Sequence, residues 1–264
     1  MAGAGLTVAD WLASVPTLLA EVATAWGLTP GQGYPAGAAG LAVRADLDDG
    51  TPAVLKLSYP HRESEQEADA LERWDGDGAV RLLARDHERH ALLLERCEPG
   101  TFLSDWDGDA LGVLIGLLPR LWKSADGFRT LEDEAAHWLE HDLAHCRHAD
   151  LAAGLIRELG PSQGELVLVH QDLHGENVLA ARREPWLVID PKPLAAEREF
   201  AVAPIVRSGE LGHSKREALG RLDRLCAELG LDRERARGWT IVQTVAWSDD
   251  ASHPEHGEVV EWLL

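Results

Sequence analysis

Apolar residues recur at helical spacing through VADWLASVPTLLAEVATAW, residues 8–26, which predicts a helix, with Pro16 opening a second helical piece. The following stretch, GLTPGQGYPAGAAG over residues 27–40, is too dense in Gly and Pro to form helix interior. In LAVRADLDDGTPAVLKLS two strand-like runs flank Asp48-Asp49-Gly50, the signature of a β-hairpin. HRESEQEADALERW returns to helical spacing, with Ala68, Leu71 and Trp74 as its apolar stripe. GAVRLLARDHERHALLLERCEPG predicts a second hairpin, turning near Asp86–Arg89 and ending in Glu98-Pro99-Gly100. From about Asp109 onward the pattern is mainly helical. The change near Cys97–Gly100 divides the chain into an N-terminal unit, residues 1–96, and a C-terminal unit, residues 97–264.

One stretch interrupts the helical half: LVLVHQDLHGENVLAARREPWLVID, residues 166–190. Its two apolar runs, Leu166–Val169 and Trp186–Ile189, each deliver the chain to an acid, Asp172 and Asp190. Taken as strand, loop, strand, the segment would place Asp172, Asn177 and Asp190 at one edge of a small sheet. Residues 170–177, HQDLHGEN, fit H-x-D-L-x-x-x-N. In phosphoryl transfer a carboxylate at Asp172 orients a hydroxyl and accepts its proton. Asn177 and Asp190 supply hard oxygen ligands to Mg²⁺. The plainer alternative is an accidental match in which Asp172 caps a turn.

Two upstream residues favour the chemical alternative. Lys56 lies inside a predicted strand among Val54, Leu55 and Leu57, where a lone ammonium is costly without a partner. Glu67, on the next predicted helix, is placed to be that partner, and a lysine–glutamate pair can hold the α- and β-phosphates of a nucleotide.

Composition narrows the classes further. Hydrophobic residues form 45% of the 264 positions and charged residues 27%, values of a soluble globular chain. Lys plus Arg number 25 against 45 Asp plus Glu, a formal charge of −20, which disfavours nucleic acid and anionic membrane as partners and attracts cations. Cys97, Cys146 and Cys226 are widely spaced without a CxxC, so neither a disulfide framework nor a structural zinc site is expected. With no basic residue ahead of the first apolar run and no apolar run of bilayer length, a cytoplasmic protein is expected.

LVHQDLHGENVL and WLVIDPKPL, with GTPAVLKL and GAVRLL upstream, resemble the aminoglycoside phosphotransferases, and within them the streptomycin 6-phosphotransferase and hydroxyurea phosphotransferase branch. The resemblance runs from about Gly37 to Asp250. It implies an α+β, protein-kinase-like fold of two lobes, a small β-rich N-terminal lobe and a mainly helical C-terminal one. It also implies ATP and Mg²⁺, with the γ-phosphate passing to a small-molecule hydroxyl. Under it Asp172 is the base, Asn177 and Asp190 the metal ligands, Lys56 the phosphate anchor and Glu67 its partner. Gly37 and Gly40 would cover the phosphates, and the backbone around Glu95–Cys97 would meet adenine. The C-terminal helices would wall the acceptor site, with Trp247, Asp249 and Asp250 suited to guanidinium or ammonium groups.

Two positions depart from the family: Gln171 stands where its loops usually carry Gly, and Ala201 where an acid usually braces the catalytic loop. They keep open a nucleotide-binding domain of weakened catalysis, beside a kinase for hydroxyurea or another small alcohol. A separate feature, HWLEHDLAHCRH, would align His137, His141, His145 and His148 on one helical face; incidental surface histidines are the expectation there.

Overall fold

The computed structural model describes residues 7–34, 40–248 and 254–264. Its first element, α1 (Val8–Ala25), is one continuous helix with Pro16 inside it, not two pieces. Buried Trp11, Val15, Val22 and Ala23 run on both sides of the proline. Packing of that stripe outweighs the one backbone hydrogen bond the ring removes.

A five-stranded antiparallel sheet follows, in the order β1-β2-β3-β5-β4. Its strands are β1 (Leu28–Gly33), β2 (Gly40–Leu47), β3 (Pro52–Ser58), β4 (Leu82–Asp86) and β5 (Ala91–Glu95), with helix α2 (Glu67–Trp74) between β3 and β4. Both expected hairpins are present: Gly50 takes φ +83° in the first turn, where the Asp49 carboxylate accepts the Thr51 amide. Part of the Gly- and Pro-rich segment forms β1, so its composition excludes helix but not strand. It lies at the sheet edge, where Pro30 lacks no necessary donor.

Alternation along β3 sorts the two sheet faces. Ala53, Leu55 and Leu57 are fully buried against α1 in one cluster with Val43, Ala45, Ala91 and Leu93. Val54 and Lys56 point the other way, toward α2 and the helical half.

Helices make up most of the remainder: α3 (Ala110–Leu121), α4 (Leu131–His137) and α5 (Ala149–Leu159), then α6 (Ala203–Arg207), α7 (Lys215–Leu229), α8 (Arg233–Ala246) and α9 (Pro254–Leu263). Polar caps start several of them. Asp109 caps α3, Thr130 and Asp133 form a capping box on α4, Ser214 caps α7 and Asp232 caps α8. Between α5 and α6 lie β6 (Val167–His170), β7 (Val178–Ala180), β8 (Trp186–Val188) and β9 (Pro193–Ala196).

The strand–loop–strand expectation needs correction here. The two apolar runs do not share a sheet: β6 pairs with β9, and β8 pairs with β7. The two ribbons flank the loop 170–177.

Helix α2 is fixed to the helical half. Buried Trp74 donates its indole N–H to the Leu121 carbonyl at 2.8 Å and stacks 6.5 Å from the His170 ring. Gln66 bonds Gly127 and Arg129, and Arg73 donates to the Ser124 and Asp126 carbonyls. Ala70, Leu71 and Trp74 belong to the same buried cluster as α3, β6 and α8. The helix carrying Glu67 is thus seated on the half that carries the loop 170–177. Among the described residues no helix is long and apolar enough to cross a membrane.

Candidate active site

Lys56 is the charged centre of the cleft between the sheet and the helical half. Its Nζ lies 2.6 and 2.7 Å from the two carboxylate oxygens of Glu67 and 2.5 Å from Oδ1 of Asp190. Its side chain is only 15% exposed and that of Glu67 3%, so the pair is nearly dry. Burial alone would push the ammonium down, but the two carboxylates hold Lys56 above its ordinary value. The Lys56 charge in turn holds the Asp190 carboxyl near 2. Asp190 also adopts φ +51°, a left-handed conformation that a non-glycine residue takes at some cost in strain.

The cleft has a volume of about 1170 Å³. Val54 and Leu94 line it from the sheet side, Leu179 and Ile189 from the helical half, and Gly40, Glu95, Cys97 and Lys56 reach it as well. Gly40 passes close to the next strand: a Cβ there would come 3.1 Å from the Leu57 carbonyl oxygen. The Glu95 carboxylate is held by Arg183 at 2.9 Å, which leaves the backbone of this segment as its face to the cleft.

Beneath the cleft, residues 170–177 are held by their own polar contacts. The Asp172 N–H donates to His170 Nδ1 at 3.1 Å, so Nε2 carries the ring proton and donates to the Ile189 carbonyl, also at 3.1 Å. Burial pushes His170 down to about 4, which keeps that tautomer neutral. Asn177 donates its amide N–H to the Asp172 carbonyl at 2.8 Å. Its backbone carbonyl accepts from the Ile189 amide, which sets Asn177 next to the residue before Asp190. His174 bonds Glu210 at 3.0 Å.

The two family departures acquire a structural context. Ala201 is fully buried and has only a methyl group, with no polar atom to brace the loop. Gln243 of α8 does so instead: its Nε2 donates to the Gln171 carbonyl at 2.7 Å, and its Oε1 accepts from Arg207 at 3.1 Å. The Gln171 side chain itself is buried, with no hydrogen-bond partner for either amide atom among the described residues.

Asp172 sits between two cations. Lys192 Nζ lies 2.8 Å from Oδ2 and Arg207 Nη2 lies 3.3 Å from Oδ1. Burial alone would raise this carboxyl, yet Lys192 and Arg207 bring it below the ordinary range. Both cations also rest on Trp247, at 4.9 and 4.5 Å from its ring centre. The expected aromatic is therefore near Asp172, with its ring against the protein's own cations. Asp249, Asp250 and Gly37 lie outside the described residues.

Sequence pattern missed Lys192, Arg207 and Gln243. Lys192 had a signal, a lone lysine directly after Asp190-Pro191; the other two are single polar residues on helices with no pattern around them. The four-histidine face does not form. Helix α4 ends at His137, a π-helical turn spans Trp138–Asp142, a 3₁₀ turn follows, and His148 takes φ +69° before α5. Burying Trp138 and Leu143 changes the angular phase, and His137 and His141 remain ring neighbours at 4.6 Å.

Comparison with known proteins identifies relatives of this chain. A profile of the aminoglycoside/hydroxyurea antibiotic resistance kinases matches residues 25–251. The chain is 38% identical to a streptomycin 6-kinase of Streptomyces griseus, over 90% of this chain and 84% of that one. It is also 38% identical to a hydroxyurea phosphotransferase of Kitasatospora aureofaciens, over 95% and 76% of the two chains. Among solved structures it is similar in fold to a choline kinase from Streptococcus pneumoniae, with TM-score 0.68, 14% identity and coverage of 95% and 99%. An aminoglycoside phosphotransferase superposes with TM-score 0.60 and 15% identity over 96% and 97% of the chains.

Proposed function

The chain belongs to the aminoglycoside/hydroxyurea antibiotic resistance kinase family and is a phosphotransferase of small hydroxyl-bearing molecules; from that premise we propose that it moves the γ-phosphate of ATP to a hydroxyl of a streptomycin-type cationic acceptor. The observation that carries this reading is Lys56 held between Glu67 and Asp190 at the floor of the cleft. A buried ammonium with two carboxylates is poised to exchange one of them for phosphate oxygens.

The residues present fit a magnesium nucleotide. Val54, Leu179 and Ile189 would hold adenine between the two lobes, residues 1–96 and 97–264, with the backbone of Glu95–Cys97 at its edge. Lys56, kept in place by Glu67, would hold the α- and β-phosphates, and Gly40 would admit the chain close to them. Asn177 and Asp190 would hold the metal through oxygen atoms, the donor type a hard cation requires. When bound, the ion neutralises charge on the polyphosphate.

At Asp172 the acceptor hydroxyl is oriented for attack. Its oxygen bonds to the γ-phosphorus as the bond to the β,γ-bridging oxygen breaks, and ADP leaves with that electron pair. The hydroxyl proton passes to the Asp172 carboxylate. Proton transfer follows formation of the ester bond, which makes the hydroxyl acidic. Asp172 thus acts first by positioning.

A hydroxyurea acceptor is the second reading, favoured by the equal 38% identity to the Kitasatospora enzyme. A domain of weakened catalysis is disfavoured, since Gln243 braces the loop that Ala201 leaves unsupported. The test is ATP turnover with streptomycin, related aminoglycosides and hydroxyurea offered separately, products followed by mass spectrometry. Acceptor-stimulated ADP release with a phosphorylated product is expected. Nucleotide binding without stimulation by any acceptor would contradict the proposal.

A further inference from the structure

Both carboxylate oxygens of Asp172 are engaged, Oδ2 by Lys192 and Oδ1 by Arg207. Each oxygen keeps a further lone pair, but an acceptor proton received there would meet two cations, so transfer to Asp172 favours release of one of them. The two cations differ in what holds them. Arg207 is 7% exposed, bonded to Gln243 and stacked on Trp247, and does not line the cleft. Lys192 does line it, with a quarter of its side chain exposed. Its Nζ also lies 3.7 Å from Glu63 Oε2, on the cleft side. Its carbonyl accepts the Gln171 amide at 3.0 Å, so the backbone is tied to the catalytic loop and only the long, rotatable stem is free to move.

The structure therefore assigns Lys192 a place in the transfer step that rests on the phosphotransferase reading. We propose that Lys192 exchanges its contact with Asp172 for the transferring phosphoryl group when ATP binds, so that Asp172 becomes available to the acceptor only afterwards. The phosphoryl group would travel from the Lys56–Asp190 side to the hydroxyl at Asp172; Lys192 lines the same cleft as Lys56 and Asp190 and bonds Asp172. During transfer, negative charge is spread over the three equatorial phosphoryl oxygens. An ammonium there offsets that charge while the hydroxyl oxygen bonds to phosphorus, the bridging oxygen leaves with ADP, and the proton goes to Asp172. Substrate binding is accordingly ordered, nucleotide first.

The test uses the full chain as wild type, Lys192→Met and Lys192→Arg, with thermal unfolding as the fold control. Calorimetric titration with ADP and with AMP-PNP, each with Mg²⁺, isolates the terminal phosphoryl group. Lys192→Met should bind AMP-PNP about tenfold more weakly, the scale of one charge-assisted hydrogen bond, and ADP as wild type does. Lys192→Arg, which keeps the charge, should retain wild-type preference for AMP-PNP. Streptomycin should bind wild type at least about tenfold more tightly with AMP-PNP present, and bind Lys192→Met equally with or without it. Equal effects of Lys192→Met on the two nucleotides, or wild-type acceptor binding indifferent to nucleotide, would overturn the proposal. If wild type turns over no acceptor, the functional reading fails, and the two nucleotide titrations still decide the role of Lys192.

Discussion

Lys56 and Asp190 stand 134 positions apart in sequence, yet Nζ and Oδ1 meet at 2.5 Å, and the same ammonium covers both oxygens of buried Glu67. On sequence grounds a strand lysine looks like a burden whose removal leaves stability unchanged or improved. Here it is the counter-charge of Glu67, which is 3% exposed. Lys56→Ala should destabilise the protein by about 3–5 kcal/mol, the usual cost of leaving one member of a buried pair uncompensated. Adding Glu67→Gln should recover part of that loss, as measured by urea unfolding at neutral pH. A single variant as stable as wild type would show that the pair contributes nothing to the fold.

Gln243 joins α8 to the catalytic loop through the Gln171 carbonyl and to Asp172 through Arg207. Gln243→Ala should lower kcat by about tenfold to a hundredfold through mispositioning of Asp172, with the KM for ATP little changed. Stability should fall by about 1–3 kcal/mol, because a buried carbonyl and a guanidinium lose their partner. Unaltered kcat in a folded variant would remove Gln243 from the positioning chain.

His170 supplies a pH signature. Its ordinary value is 6.5 and burial holds it at about 4 in the folded protein. Between those values the unfolded chain takes up a proton that the folded chain refuses. The contribution of this group is thus fully present above about pH 6.5 and declines by about 3 kcal/mol as pH falls to about 4. Urea-derived stabilities of wild type and His170→Asn at pH 7 and pH 4.5 check this, with the shallower pH slope expected for the variant. Equal slopes would mean that His170 titrates normally.

Asp190→Ala and Asn177→Ala should each raise the Mg²⁺ concentration needed for half-maximal nucleotide binding, since each removes an oxygen ligand from a hard cation. Asp190→Ala also strips Lys56 of one of its two carboxylates, so its effect on nucleotide affinity without metal should be smaller or opposite in sign. Titrations with and without Mg²⁺ separate the two effects. Metal dependence unchanged in both variants would remove them as ligands.

The parts of the molecule legible in sequence are those set by local rules. The two hairpins showed themselves through strand-like runs and their turn segments, and the catalytic segment through two apolar runs that each end at an acid. Lys56 and Glu67 stood out because one was costly where it lay and the other was placed to relieve it. Pairing was less legible because it is decided by tertiary contact. PGQG in β1 carries turn residues and is a strand only because β2 offers an edge, and β6 and β8 each take a partner other than the other. Lys192, Arg207 and Gln243 come from three separate elements, and nothing in their local spacing marks their convergence on Asp172 and its loop. Pro16 shows the reverse case, a strong local signal overridden by a buried stripe.

Replacement of Asp172 bears on the account most directly. Asp172→Asn keeps size and shape but removes the carboxylate, and a positioned base contributes about 10² to 10⁴ in rate. With streptomycin and Mg-ATP as substrates, phosphorylated product followed by mass spectrometry should form about that much more slowly. ADP affinity should stay near that of wild type, because Lys56, Asn177 and Asp190 remain. Wild-type turnover in this variant, or turnover and ADP binding lost together, would contradict Asp172 as the group that receives the acceptor's proton.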